Sequence, residues 1–125
     1  MNTTAKHILV VDDDPFTAEL TGMILESSEY EIIIADGGVD ALEKLNSDDE
    51  ISIVVSDMNM PFVSGVQLFE EMRGQGFTIP FVLLTGEDSA PLRLAHPDMD
   101  EIVTKDENLQ ETLPEIVDSL IAKRG

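Results

Sequence analysis

The sequence predicts a doubly wound α/β domain built on a five-stranded parallel sheet, and three observations carry that prediction. Five short apolar runs have the length and β-branched content of strands buried on both faces: Ile8-Leu9-Val10-Val11, Tyr30 to Ala35, Ile53-Val54-Val55-Ser56, Phe81-Val82-Leu83-Leu84 and Ile102-Val103-Thr104. Segments of helical periodicity separate them, so the order reads strand–helix five times. Short connections between such units impose parallel strands, right-handed crossovers and helices on both faces of the sheet. The expected strand order is 2-1-3-4-5, which sets the ends of the first and third strands side by side. At 125 residues the chain is expected to form one domain, 1–125, with a real core.

The first helix is expected to open with Asp14 as N-cap and Pro15 at the first helical position, where a missing N–H costs nothing. Phe16, Leu20, Met23 and Ile24, spaced i, i+4, i+7 and i+8, read as its buried stripe. The second helix follows Gly37-Gly38 and carries Val39, Leu42 and Leu45, with Ser47-Asp48-Asp49-Glu50 as a polar linker behind it. The third follows Ser64-Gly65 and buries Leu68, Phe69 and Met72. Pro91 and Pro97 bracket a fourth of two turns at most, Leu92 to His96. The fifth runs to about Lys123 with Leu109, Leu113, Ile116, Val117 and Leu120 inward, and Pro114 makes it start late or bend. Lys123-Arg124-Gly125 reads as a loose end.

Composition removes several classes of function. Seven Lys and Arg stand against 26 Asp and Glu, a net charge of −19, which is the wrong sign for a nucleic-acid surface. No cysteine is present, so thiolate metal sites, disulfides and thiol nucleophiles are excluded. No run reaches membrane-spanning length and Met1 to Lys6 is polar, so a cytoplasmic protein is expected. His7 and His96 are isolated and expected to be exposed, and the six methionines read as core filler.

Four of the five strands end in a polar residue. Asp12-Asp13-Asp14 follows the first, Asp57 the third, Thr85 the fourth and Lys105 the fifth. Ligands of open parallel sheets bind beyond the carboxyl ends of the strands, so these groups are expected to converge. Clustered carboxylates repel one another until a hard divalent cation such as magnesium relieves them. Asp57 could then act as nucleophile toward a phosphoryl group, with Lys105 supplying positive charge and Thr85 a hydrogen bond. Each piece has a plainer reading: a helix cap with solvated neighbours, a turn aspartate, a strand threonine, a surface lysine. The ordered appearance of all four at strand ends favours the site.

The chain resembles the receiver domains of two-component response regulators, including the chemotaxis response regulator, from about Lys6 to Ala122. The most specific matches are Ile8-Leu9-Val10-Val11-Asp12-Asp13-Asp14-Pro15 and Ser56-Asp57-Met58-Asn59-Met60-Pro61, closed by Gly65. The resemblance implies a flavodoxin-like three-layer fold over 1–125 with Asp57 as phosphoacceptor. Asp13 would bind magnesium directly, Asp12 mostly through water, and Asn59 through its backbone carbonyl. Thr85 and Lys105 match the switch hydroxyl and the phosphate-pairing lysine, while Asn59 and Glu87 fall where the lifetime of the aspartyl phosphate is tuned. It also implies a sensor histidine kinase or a histidine phosphotransfer domain as donor, a downstream protein target, and phosphoacceptance rather than turnover. Three features depart from the pattern: Asp106 replaces the usual proline after Lys105, Ile102 replaces the usual aromatic switch, and the stretch from Thr85 to Lys105 is short.

Two other readings compete. A haloacid-dehalogenase-type phosphatase would use Asp12 and Asp14 at its Asp-x-Asp spacing, but position 16 is Phe and no acidic pair ends a later strand. A phosphate-independent pseudo-receiver would normally have lost Asp13, Asp57 or Lys105. A free-standing regulator and a receiver at the end of a hybrid kinase share all these features.

Overall fold

The computed structural model describes residues 6–26 and 30–124. The polar start, Met1 to Ala5, and the final Gly125 lie outside the described residues. The elements alternate without exception: β1 (Lys6–Val11), α1 (Pro15–Leu25), β2 (Tyr30–Ala35), α2 (Gly38–Ser47), β3 (Ile51–Asp57), α3 (Gly65–Gly74), β4 (Phe81–Thr85), α4 (Ala90–Ala95), β5 (Glu101–Thr104) and α5 (Leu109–Arg124). All strand pairs are parallel and the sheet order is β2-β1-β3-β4-β5, as expected. No helix among the described residues is long and apolar enough to cross a membrane.

Alternate strand residues feed two cores, because successive side chains of a strand point to opposite faces. Leu9, Val11, Val54, Phe81, Leu83 and Ile102 meet Ala41 and Leu45 of α2 and Leu68, Phe69 and Met72 of α3. Ile8, Val10, Ile53, Val55, Val82, Leu84 and Val103 meet Ala18 and Leu25 of α1 and Leu113, Val117 and Ile121 of α5. Continuous burial on both faces is why β1, β3 and β4 read as unbroken apolar runs.

Asp14 caps α1 by accepting the Phe16 N–H at 3.1 Å, with Pro15 in the first turn. The face that α1 buries differs from the expected stripe. Phe16 and Met23 are 68% and 69% exposed, Leu20 is exposed, and Ile24 is half-buried. Ala18, Thr21, Gly22 and Leu25 face inward instead. Their spacing, i, i+3, i+4 and i+7, is an equally good helical stripe. Close approach selects it: a Cβ on Gly22 would stand only 3.1 Å from Ile32 Cγ2 of β2.

Other details of the helices and of His7 match expectation only in part. Val39 is exposed because α2 turns Gly38, Ala41 and Leu45 inward, and α2 includes Ser47. The helix between the prolines starts earlier than expected, at Ala90, with Pro91 tolerated in its first turn. In α5 the expected inward face holds: Leu113 and Val117 are buried together with Ile121, and Leu109, Ile116 and Leu120 are half-buried and pack against the same core. That helix runs through Pro114, which withholds an N–H from the carbonyl of the exposed Gln110. His7 is not isolated: it is half-buried, with Nδ1 2.7 Å from Asp48 Oδ2 and Nε2 3.9 Å from Glu31.

The assignment of the α1 face has a direct test. Phe16→Ser should change unfolding free energy by less than about 0.5 kcal/mol, whereas Leu25→Ala should lower it by about 2–4 kcal/mol. Urea unfolding midpoints check both, and a large loss at Phe16 would restore the expected stripe.

Candidate functional site

The sheet register builds the site. Val11 of β1 pairs with Ser56 of β3, so Asp12 and Asp57 are the next residues along adjacent strands. The Asp12 N–H donates to the Ala35 carbonyl at 3.1 Å, which extends the β1–β2 ladder one residue into the site. On the other side Asp57 pairs with Leu84, and Thr85 of β4 pairs with Thr104 of β5. The Lys105 N–H then donates to the Thr85 carbonyl at 2.7 Å, fixing where the lysine side chain starts.

Carboxylate oxygens of Asp12, Asp13 and Asp57 all lie within 4.8 Å of one another. The Lys105 ammonium forms an ion pair and hydrogen bond with Asp57 Oδ1. Asp12 is buried and accepts the Asp14 N–H at 2.9 Å, while Asp13 is exposed. Asp14 turns away to its capping role, where it also accepts from the Thr17 hydroxyl at 2.9 Å. Thr85 is buried, and its Oγ1 accepts the Glu87 N–H at 3.1 Å. Asn59 sits in the exposed loop two residues past Asp57.

That loop is held by backbone contacts. The Met58 N–H donates to the Leu84 carbonyl, and the Gly65 N–H donates to the Met58 carbonyl, each at 2.9 Å. Gly65 allows this return: a Cβ there would lie 2.5 Å from both the Asp57 carbonyl oxygen and Leu83 Cδ1. Phe62 adopts φ 69° in a tight turn in which the Val63 N–H donates to the Pro61 carbonyl at 2.7 Å. After Lys105, the Asp106 carboxylate accepts the Asn108 N–H at 2.9 Å, starting the turn into α5. No peptide bond among the described residues is cis.

Burial raises the Asp12 carboxyl above the ordinary carboxylate range. Repulsion from Asp57 and Asp13 adds to that, while the Asp14 N–H and the Lys105 ammonium oppose it. Three close carboxylates of which one is hard to ionise form a donor set suited to a hard divalent cation, which takes oxygen ligands and keeps several waters. The structure therefore brings together Asp12, Asp13, Asp57 and Lys105, with Thr85 one residue beyond the Asp57–Leu84 pair. The sequence reading missed Thr104, whose hydroxyl donates to the Glu87 carbonyl at 3.3 Å. Its only sequence signal was a second strand-end threonine.

A doubly wound parallel sheet with an acidic cluster and a lysine at its carboxyl edge defines a class of signalling domain. The family model described as "Response regulator receiver domain" matches residues 8–117, and the chain belongs to that family. Receiver domains are phosphoacceptors rather than classical enzymes, so family membership displaces the phosphatase reading. The chain is 35% identical over 91 residues to the transcriptional regulatory protein GlrR of Escherichia coli, covering 73% of this chain and 20% of GlrR. It is 35% identical over 109 residues to the response regulator MprA of Mycobacterium tuberculosis, covering 86% of this chain and 47% of MprA. It thus spans about a fifth and about half of these relatives. A crystal structure of the response regulator protein TrrA from Thermotoga maritima, in complex with Mg(2+)-BeF, superposes with TM-score 0.81 at 36% identity, covering 92% of this chain and 98% of that one.

The raised Asp12 pKa fixes the sign of a pH effect. Its ionisation disfavours the fold, so its stabilising contribution is complete below the unfolded value and is lost as pH rises through the folded one. In metal-free buffer Asp12→Asn should raise the melting midpoint at pH 7, and that gain should vanish below about pH 4. A gain independent of pH would show that charge is not its cause.

Proposed function

We propose that Asp57 accepts a phosphoryl group from the phosphohistidine of a sensor kinase or of a histidine phosphotransfer domain, and that residues 1–125 act as one receiver domain. The observation that carries this reading is the Lys105–Asp57 ion pair set within the cluster of three carboxylates. In the transfer an Asp57 carboxylate oxygen forms a bond to phosphorus while the P–N bond to the imidazole breaks. The departing nitrogen takes the electron pair and then a proton. Lys105 exchanges its contact with Asp57 for the phosphoryl oxygens, and the Thr85 hydroxyl donates to one of them.

Asp12, Asp13 and Asp57 through their carboxylates, and Asn59 through its backbone carbonyl, would hold magnesium. The ion supplies charge neutralisation at the phosphoryl oxygens as an anionic donor approaches a cluster of anions. Retention of Asp13, Asp57 and Lys105 favours this reading over a phosphate-independent interaction module. It is also supported by the relative solved with Mg(2+)-BeF, a phosphoryl-like ligand.

Readout to a downstream protein proceeds without an aromatic switch. Ile102 is already buried in the core, and β-branching restricts its χ1. The coupling runs instead through the segment between β4 and α4, which is short and mostly exposed.

Intact-mass measurement after incubation with acetyl phosphate tests the acceptor. One phosphate should appear on the wild type with magnesium, and none with chelator present or in Asp57→Asn. Equal labelling of Asp57→Asn overturns the assignment. Lys105→Ala should fold normally but bind beryllofluoride at least about tenfold more weakly, since it removes a charge-assisted contact.

A further inference from the structure

The segment between β4 and α4 is held by hydrogen bonds more than by packing. Gly86, Glu87 and Asp88 are exposed, and a Cβ added at Gly86 would meet nothing within 4 Å. Two hydroxyls grip Glu87 from opposite sides. Its N–H donates to Thr85 Oγ1 at 3.1 Å, and its carbonyl accepts from Thr104 Oγ1 at 3.3 Å. Thr85 and Thr104 are register partners on adjacent strands, so the Glu87 main chain bridges the ends of β4 and β5 beside the start of Lys105.

This arrangement constrains the Thr85 hydroxyl. A threonine oxygen can accept while its single proton donates. With the Glu87 N–H fixed on one lone pair, the buried Thr85 hydroxyl keeps its proton free for an acceptor in the site. Without the hold on the Glu87 carbonyl, the N–H has no fixed position and the hydroxyl can rotate. The geometry points to Thr104 as a positioning residue for the aspartyl phosphate, acting through the Glu87 main chain on the Thr85 hydroxyl. This rests on the reading of Asp57 as phosphoacceptor.

The step it affects is hydrolysis of the acyl phosphate. A water oxygen bonds to phosphorus, the bond from phosphorus to the Asp57 oxygen breaks, the carboxylate is restored, and inorganic phosphate leaves with the proton passing to solvent. A loosened Glu87 segment opens this face of the site to water. Thr104→Val removes the donor and keeps the β-branched shape. It should shorten the lifetime of the phosphorylated protein about fivefold, the ratio expected for one neutral hydrogen bond. Thr104→Ser retains the donor and should restore the lifetime to within about twofold of wild type.

The experiment labels each protein with acetyl phosphate and magnesium, removes the donor, and follows phosphate release. Melting midpoints and the Glu87 amide resonance of the unphosphorylated proteins are recorded alongside. Thr104→Val should shift the Glu87 amide and speed release, and its effect should disappear in a Thr85→Ala background because it acts through Thr85. Wild-type decay in Thr104→Val, or the same acceleration with Thr85→Ala, overturns the proposal. Failure of the wild type to label contradicts the Asp57 reading instead; the Glu87 amide then decides the clamp alone, and an unmoved resonance in Thr104→Val overturns it.

Discussion

Convergence of like charge at the carboxyl ends of two adjacent parallel strands, β1 and β3, is the constraint from which the rest of this structure follows. The backbone ladder, not the side chains, sets Asp12 beside Asp57, because Val11 and Ser56 are already paired one residue earlier. The same ladder fixes the adjacent backbone positions from which the two side chains start. Asp12 is consequently buried near two other acids, and its charged form is disfavoured. Lys105, placed by the last strand, offsets part of that repulsion by pairing with Asp57. On the proposed function, a divalent cation would supply the positive charge that Lys105 alone leaves short, and so let an anionic phosphoryl group approach.

The two ends of the sheet answer acid in opposite ways. At the amino end of β1, His7 hydrogen-bonds Asp48 and holds that carboxyl below the ordinary range. Its contribution to stability is present above the unfolded carboxylate value and is lost as pH falls through the folded one. At the carboxyl end the sign reverses for Asp12, whose ionisation is opposed by burial. Acidification therefore weakens the anchoring end while relieving the functional end. Strain from charge is thus concentrated at the cluster of Asp12, Asp13 and Asp57.

How much of this was legible in the sequence depended on whether a feature was local. Strands buried on both faces must be apolar throughout, so β1, β3 and β4 could be read directly, and the less buried runs of β2 and β5 completed the alternation. The order of the sheet came from the commonest five-stranded arrangement and not from periodicity. Asp12, Asp57, Thr85 and Lys105 were legible for the same reason, since each closes or follows a strand. The inward face of α1 was not. Phe16-Leu20-Met23 and Ala18-Gly22-Leu25 are both helical stripes, and only the distance from Gly22 to Ile32 decides between them. The partner of His7 was also hidden, because Asp48 is 41 residues away in sequence. The Glu87 clamp depends on the β4–β5 register, which no periodicity reveals.

The central claim, that the three carboxylates form an electrostatic deficit that a divalent cation fills, is tested most directly by thermal unfolding across a magnesium titration at constant ionic strength. The account predicts a midpoint that rises with the logarithm of magnesium concentration as one-site linkage requires. It also predicts that Asp13→Asn, which removes one ligand while keeping the surface charge near −18 against the wild-type −19, loses most of that rise. A midpoint insensitive to magnesium, or one that climbs equally in Asp13→Asn, would contradict it.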